Sequence, residues 1–195
     1  MYLVIDCETT GLPKDRRASK QDVDNWPRVI QLAWALYDES GEAGEIMTPV
    51  ETAACLIRPE GFIIPDDVQR IHGITTERAH SEGKDLAEIL RAFALAAAKA
   101  EVIVAHNLDF DVSVISAEYQ RLGFESPFGG KKQICTMRKS VEFCKIPGKR
   151  GFKWPKLSQL HQKLFGSDFE GAHDAGADVA ACARCFFALK NRNEV

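Results

Sequence analysis

Short apolar runs alternate with stretches of helical spacing along most of this chain. Runs rich in β-branched and aromatic residues predict five strands, over residues 2–7, 29–37, 54–58, 102–105 and 134–136. Apolar positions three and four apart, together with alanine-rich segments, predict five helices, over residues 66–72, 85–99, 109–122, 157–165 and 175–191. Gly73 and Gly123 follow two of these helices, at the position where a glycine commonly ends a helix. The polar stretch over residues 13–25 predicts a loop.

The order of these elements predicts a fold class. Three strands come first, and helices then alternate with short strands. This order indicates a mixed α/β domain, in which an antiparallel part of the sheet is continued by parallel crossovers. The strand over residues 102–105 is short and continuously apolar, which is typical of a central strand. Since the sequence shows no repeat or linker, we expect a single domain over residues 1–195.

Composition excludes several classes of protein. The chain has 195 residues, of which 45% are hydrophobic and 27% charged, as in soluble globular domains. Its longest apolar stretch, residues 92–98, is too short to cross a bilayer, so no membrane association is predicted. The first residues lack a secretory signal pattern. The six cysteines are irregularly spaced, which predicts free thiols in a reducing cytoplasm rather than disulfides.

Acidic residues follow two of the predicted strands. Residues 6–12 read DCETTGL, and strand alternation places Asp6 and Glu8 on the same side. Two adjacent carboxylates repel each other unless a cation neutralises them. Residues 106–111 read HNLDFD, and Asp111 lies in the first turn of a helix. The helix dipole alone explains an acid there, but the carboxyl ends of strands are also where α/β sheets bind ligands.

A third motif opens the last helix. Residues 171–178 read GAHDAGAD. Residues five apart do not share a helical face, so we expect Asp178 on the helix and His173 on the loop before it. Each of the three motifs is common by itself, and only their order and their positions on strands and helices make the set specific.

Together the three motifs resemble those of the DEDDh (DnaQ-like) family of 3′→5′ exonucleases, which includes the epsilon proofreading subunit of bacterial DNA polymerase III and RNase T. Residues 71–75 (IHGIT) and 27–33 (PRVIQLA) extend the resemblance to nearly the whole chain. It implies a ribonuclease H-like fold, with a mixed five-stranded sheet flanked by helices. It also implies hydrolysis of phosphodiester bonds from a single-stranded 3′ end, with DNA favoured, to release nucleoside 5′-monophosphates.

The resemblance also assigns roles to residues. It implies that Asp6, Glu8, Asp111 and Asp178 hold two divalent ions, Mg²⁺ or Mn²⁺, and that His173 is the general base. Hard cations of this kind prefer oxygen ligands. Two such ions about 4 Å apart can clamp an in-line displacement at phosphorus. An imidazole is suited to proton abstraction because it titrates near neutral pH.

Contacts to the substrate follow from the same resemblance. It suggests that the loop after the first strand, and residues near the predicted metal ligands, contact the terminal nucleotide. These residues are Thr9, Thr10, Gly11, Leu12, His72, Asn107 and Phe110. The backbone N–H groups of the loop would face the nucleotide, and Leu12 would press against its base. For each residue, ordinary loop structure or core packing is the alternative.

A basic segment lies within the acidic chain. The net charge is −3, but residues 131–163 carry ten basic residues and one acidic residue, for a net charge of +9 against −12 elsewhere. Basic residues interleaved with aromatic ones suit a single strand with stacked bases. We therefore expect Lys149, Arg150 and Lys153 to bind the substrate strand, with a solvated charged surface as the alternative.

Three other functions stay open at this point. One is a small RNA-trimming exoribonuclease of the RNase T or oligoribonuclease type, and another is a non-catalytic nucleic-acid-binding module. The third is a zinc-dependent hydrolase that uses His161, His173, Cys182 and Cys185. Association with a polymerase is conceivable, but the chain ends soon after the last helix, without a tethering tail. A stand-alone enzyme is therefore expected.

Overall fold

The computed structural model describes residues 1–38 and 47–195, and five strands within these ranges form one sheet. The strands are β1 (Tyr2–Thr9), β2 (Val29–Tyr37), β3 (Glu51–Leu56), β4 (Val102–Ala105) and β5 (Lys132–Cys135). Their order is β3-β2-β1-β4-β5. The β2 strand is antiparallel to β1 and β3, whereas β4 is parallel to β1 and β5. This arrangement confirms the predicted fold class.

Eight helices and one hairpin complete the described part of the chain. The helices are α1 (Asp66–His72), α2 (Thr76–Glu82), α3 (Leu86–Lys99), α4 (Leu108–Arg121), α5 (Thr136–Lys139), α6 (Val141–Cys144), α7 (Leu157–Phe165) and α8 (Ala175–Lys190). Strands β6 (Pro147–Gly148) and β7 (Gly151–Phe152) form the hairpin.

The predicted boundaries were wrong in several places. The third strand begins at Glu51 rather than at residue 54, and the fifth begins at Lys132 and ends before Thr136, which opens α5. The sequence did not predict α2, α5, α6 or the hairpin. These elements span two to seven residues, and such short segments carry too few positions to show a period.

Helices cover both faces of the sheet, and strand alternation decides which residues each face receives. Leu3 and Ile5 of β1 pack with side chains of α3 and α4, including Phe93. Tyr2 and Val4 point the other way and pack with α8, including Phe186. Continuing this alternation along β1 directs Asp6 and Glu8 towards α8. The side of the sheet on which the acids lie is therefore set by the same pattern that forms the core.

A buried carboxylate anchors the segment that leads into β2. Glu118 of α4 has a fully buried side chain and accepts hydrogen bonds from the Arg28 Nε atom at 2.8 Å and from the backbone N–H of Val29 at 3.0 Å. Its other ion pair joins it to Arg121 at 3.1 Å. Arg121 in turn donates to the Trp26 carbonyl at 2.7 Å. These bonds fix the loop before β2 against α4.

Candidate active site

The first acids lie where β1 extends past its neighbour. The β4 strand pairs with β1 only from Tyr2 to Val4, so the backbone N–H of Cys7 has no strand partner on that side. Asp111 of α4 supplies the missing hydrogen-bond acceptor, because its Oδ1 atom accepts hydrogen bonds from Cys7 N at 3.2 Å and from Cys7 Sγ at 3.3 Å. Asp111 is only 2% exposed.

A tight turn brings α4 into this position. Asn107 links β4 to α4 with a left-handed backbone, at φ 80° and ψ 41°. The turn lets the chain reverse within two residues of the strand, which brings the first turn of α4 to the end of β1. Asp111 therefore contacts Cys7 as a consequence of backbone geometry. Its place in the first turn of the helix is as predicted, whereas the contact with Cys7 was not predicted.

The remaining predicted residues lie at the start of α8. His173 has a left-handed backbone with φ 71°, and its N–H donates to the Asp178 Oδ2 atom at 3.3 Å. Ligand atoms of Glu8, His173 and Asp178 lie within 4.8 Å of one another. As predicted, Asp178 is on the helix and His173 on the loop before it.

Burial raises the pKa of all four acids, and repulsion from neighbouring carboxylates, which for Asp178 is that of Asp174, adds to it. Burial is the largest cause in each case. Repulsion from Asp111, Asp178 and Glu8 further raises the pKa of Asp6, which is held well above its ordinary value. The pKa of Glu8 is raised to about 8 and that of Asp111 to about 7, the latter in spite of the two hydrogen bonds from Cys7. Each of these shifts means that the ionised form of the carboxylate is disfavoured unless a positive charge lies beside it.

The donor set fits divalent cations. Four carboxylates that repel one another at one end of a sheet form a site that a doubly charged ion would neutralise. Oxygen ligands suit Mg²⁺ and Mn²⁺ better than softer metals. The Glu8, His173 and Asp178 group is where the described part of the chain best fits a metal ion.

The cysteines do not form a comparable site. Cys182 and Cys185 are buried on α8, where the Cys182 Sγ atom lies 3.7 Å from the Thr136 hydroxyl and Cys185 packs with Leu160 and Leu189. The Nδ1 atom of His161 already contacts the Ser167 carbonyl at 2.8 Å. These contacts favour a packed helix face and argue against the zinc hydrolase.

Three of the predicted substrate contacts line one cavity. Leu12, Asn107 and Phe110 contribute to a cavity of about 510 Å³ that shares the β4–α4 turn with the acidic cluster. Other residues also line the cavity: Trp26 and Trp154 add indole rings, and Arg16, Lys20 and Arg138 add positive charge. Arg138 and Trp154 belong to the basic segment over residues 131–163 that the sequence indicated, whereas no sequence signal indicated Arg16, Lys20 and Trp26. Arg138 pairs with Asp109 and lies 5.8 Å from the centre of the Trp154 ring.

Internal hydrogen bonds occupy part of the loop after β1. The Thr10 N–H donates to the Arg28 carbonyl at 2.9 Å, and its hydroxyl accepts from the Arg28 N–H at 3.0 Å. The Thr9 hydroxyl donates to the Gly11 carbonyl at 2.7 Å. The expectation that the Thr10 N–H faces a nucleotide is therefore wrong, because this group already has a partner. Thr10 instead holds the loop in place.

His72 lies at the edge of the cluster. Its Nδ1 atom accepts a hydrogen bond from the Ile74 N–H at 3.0 Å, which places the ring proton on Nε2. The Nε2 atom is buried and lacks a partner among the described residues. Burial and the nearby charge of His173 lower the pKa of His72. The structure thus brings His72 close to His173.

The basic residues lie at the hairpin. Lys149 and Arg150 form the tip between β6 and β7, and Lys153 follows β7, all of them exposed. The next residue is Trp154, which lines the cavity. A half-buried histidine fixes this segment, since the His106 Nε2 atom lies 3.0 Å from the Pro155 carbonyl. The hairpin therefore joins the cavity wall directly.

Sheet order and acidic cluster together are those of a ribonuclease H-like nuclease. The chain belongs to the exonuclease (RNase T) family, whose model matches residues 3–186. Members of this family depend on divalent metal ions. The family and the fold implied by the sequence motifs are thus confirmed.

Two relatives by sequence are similar over most of the chain. The 3′-5′ exonuclease DinG of Bacillus subtilis is 29% identical over 160 residues, which are 81% of this chain and 14% of that protein. The DNA polymerase III subunit epsilon of Treponema pallidum is 29% identical over 186 residues, which are 95% of this chain and 74% of the relative. The chain therefore spans only a small part of the first relative.

Solved structures show the same fold. Escherichia coli exonuclease I in complex with a dT13 oligonucleotide has a TM-score of 0.74 at 19% identity, with 98% of this chain and 41% of that chain covered. A zinc-bound form of that enzyme with single-stranded DNA has a TM-score of 0.72 at 19% identity, with 98% of this chain and 40% of that chain covered. Among the described residues, no helix combines the length and apolarity that a membrane span requires.

Proposed function

We propose that this chain is a metal-dependent 3′→5′ exonuclease that removes nucleotides from single-stranded 3′ ends and releases nucleoside 5′-monophosphates. The observation that carries the proposal is the convergence of Glu8, His173 and Asp178 within 4.8 Å, beside Asp6 and the buried Asp111. Three separate parts of the sequence supply these residues. A chance cluster of buried acids would destabilise the fold, so a function that needs them is the economical explanation.

Each residue has a distinct role in this proposal. Asp6, Glu8, Asp111 and Asp178 would hold two divalent ions, Mg²⁺ or Mn²⁺. When bound, such ions activate a water molecule and stabilise the charge on the leaving 3′ oxygen. His173 would accept the proton of the attacking water at its imidazole, because an imidazole is uncharged for part of the neutral pH range. Its place on a loop rather than on a strand leaves the ring free to approach the substrate.

The substrate strand would enter through the cavity. Leu12 and Phe110 offer apolar surface to the terminal base, and Trp154 offers an indole ring on which a further base can stack. Lys149, Arg150 and Lys153 would then contact phosphates further along the strand. The expected roles of Thr9, Gly11, His72 and Asn107 near the 3′ end stay part of this proposal.

The names of the sequence relatives favour a DNA substrate, since one is a subunit of a DNA polymerase. An RNA-trimming role is the second candidate, because recognition of the 2′-hydroxyl depends on contacts made only with substrate bound. Association with a polymerase is also part of the proposal, because the same relative is a polymerase subunit. The six cysteines are free thiols, which supports the reducing, cytoplasmic location expected from the sequence.

A digestion panel tests the proposal. End-labelled single- and double-stranded DNA and RNA are incubated with the protein and Mg²⁺, Mn²⁺ or a chelator. We expect mononucleotides to be released from the 3′ end of single-stranded DNA, and no release in the chelator. Faster release from RNA would instead favour the exoribonuclease.

Matched variants assign the activity to the site. Asp178→Asn keeps the shape of the side chain and should abolish hydrolysis, and His173→Ala should slow it about 10²- to 10⁴-fold. Release of internal fragments, or full activity of Asp178→Asn, would contradict the proposal. Binding of the labelled strand without any hydrolysis by the unmodified chain would indicate the non-catalytic module.

A further inference from the structure

A buried glutamine lies beside the acidic cluster. Gln31 of β2 is 5% exposed and is the register partner of Glu8 on the neighbouring antiparallel strand. Residues directly opposite each other in such a pair project from the same face of the sheet. Gln31 therefore points with Glu8 towards α8.

Both ends of the Gln31 amide bond to the start of α8. Its Nε2 atom donates to the Asp174 Oδ2 atom at 2.9 Å, and its Oε1 atom accepts from the Ala175 N–H at 3.0 Å. A carboxylate on one side and an N–H on the other fix the orientation of the amide. No other side chain of similar size could satisfy both partners, since a glutamate lacks the donor and a methionine lacks both groups.

Asp174 links Gln31 to the segments that carry His173 and Asp178 through further hydrogen bonds. Its Oδ1 atom accepts from the Ala177 N–H at 3.1 Å and caps the helix. Its N–H donates to the Gly171 carbonyl at 3.0 Å, and its carbonyl accepts from the Asp178 N–H at 2.9 Å. His173 precedes it directly. The turn that carries His173 and the helical turn that carries Asp178 thus meet at the residue that Gln31 holds.

We propose that Gln31 is a positioning residue, which holds the His173 turn and Asp178 in register with Glu8 through its bridge to Asp174 and Ala175. The inference rests on the proposed function, because it assigns Gln31 to the same site. Gln31 itself makes no contact with the reacting atoms. Partners of this kind, one layer behind the ligands, commonly affect activity or metal affinity by about 10- to 100-fold.

An exchange of donor and acceptor tests the bridge. Gln31→Glu sets a carboxylate against that of Asp174, and Asp174→Asn sets two amides together, so each single variant loses one hydrogen bond. In the double variant the amide at position 174 donates to the carboxylate at position 31, and the Ala175 and Ala177 N–H groups keep their acceptors. The double variant also keeps the net charge of the original pair.

We expect each single variant to lower kcat about 10- to 100-fold with KM changed less than about threefold, and the double variant to recover most of the loss. Mn²⁺ affinity, measured by titration calorimetry without substrate, should fall in both single variants and recover in the double variant. Gln159→Met is the matched control. It removes a glutamine whose Oε1 atom accepts a hydrogen bond from the Lys156 N–H at 3.0 Å at the start of α7, a helix that carries no residue of the proposed exonuclease site, and it should leave kcat unchanged.

Two results would overturn the inference. In one, the single variants keep their kcat and Mn²⁺ affinity, so that the bridge contributes only to stability. In the other, kcat and Mn²⁺ affinity of the double variant are lowered as much as the losses of the two single variants combined. That result would show that the single variants act through something other than the bridge. If the unmodified chain hydrolyses no nucleic acid, the proposed function fails, and the Mn²⁺ titrations still decide whether Gln31 shapes the metal site.

Discussion

Replacing Glu8 with glutamine should stabilise the protein when no metal is present. Burial and repulsion from Asp178, Asp111 and Asp174 raise the pKa of Glu8 from its ordinary value of 4.5 to about 8. Between these values the folded protein binds a proton that the unfolded chain has released. The stability that comes from this proton is therefore complete below pH 4.5 and is lost as the pH rises through about 8.

The structure sets the size of the effect. One pKa unit corresponds to about 1.4 kcal/mol, so the whole difference for Glu8 amounts to about 5 kcal/mol. Some of this is screened, because Glu8 keeps partial access to solvent. We therefore expect Glu8→Gln to raise the free energy of unfolding by about 2 to 4 kcal/mol more at pH 9 than at pH 5, because a small part of the effect is already present at pH 5. The same change should remove catalysis, since glutamine is a poorer ligand for a hard cation.

Urea unfolding in the presence of a chelator measures this difference at both pH values. Glu51→Gln is the control, because a hydrogen bond from Lys99 lowers the pKa of Glu51. Stability from Glu51 is present above its ordinary pKa and is lost only as the pH falls further, so its removal should cost the same at pH 5 and pH 9. An equal effect of Glu8→Gln at both pH values, or a loss of stability at pH 9, would refute the reasoning.

Three other predictions concern the fold and the substrate strand. Glu118→Ala leaves two guanidinium groups without their buried partner and should cost about 3 to 5 kcal/mol in urea unfolding, and a cost below about 1 kcal/mol would contradict the anchoring role. Changing Lys149, Arg150 and Lys153 to alanine should flatten the dependence of log K on log salt by up to about 2 for single-stranded DNA, whereas an unchanged slope would show that these residues do not contact phosphates. Trp154→Ala should weaken oligonucleotide binding by about 1 to 3 kcal/mol in fluorescence anisotropy with the salt slope unchanged, and equal binding would exclude stacking there.

Local signals in the sequence predicted most of the fold. The apolar runs of β1, β2 and β4 and the periodic segments of α3, α7 and α8 are long or regular enough to identify an element by themselves. Their order then leaves few ways to build a sheet, because crossovers between parallel strands have a fixed hand. The candidate site residues were proposed from the order of three motifs that resemble a known family, and the local setting of each motif helped to locate them. Acids at strand ends and at a helix start stand out against apolar neighbours, as Asp6 and Asp111 do.

Contacts between distant residues could not be predicted in this way. Gln31 is one polar residue in an apolar strand, and its partners lie 143 and 144 positions away, so no local pattern reveals its role. The cavity wall joins Trp26 and Trp154 for the same reason. The raised pKa values also belong to the fold, because desolvation and repulsion act only once the carboxylates are buried together.

The sequence by itself thus determined the main strands and helices and which residues are candidates for chemistry, because residue type and local period are properties of the chain. Only the tertiary structure decided how they cooperate. It set Asp111 on the free N–H of Cys7, and it joined Gln31 to the start of α8. These arrangements depend on where strands end and on how helices pack against the sheet, which no single stretch of residues specifies.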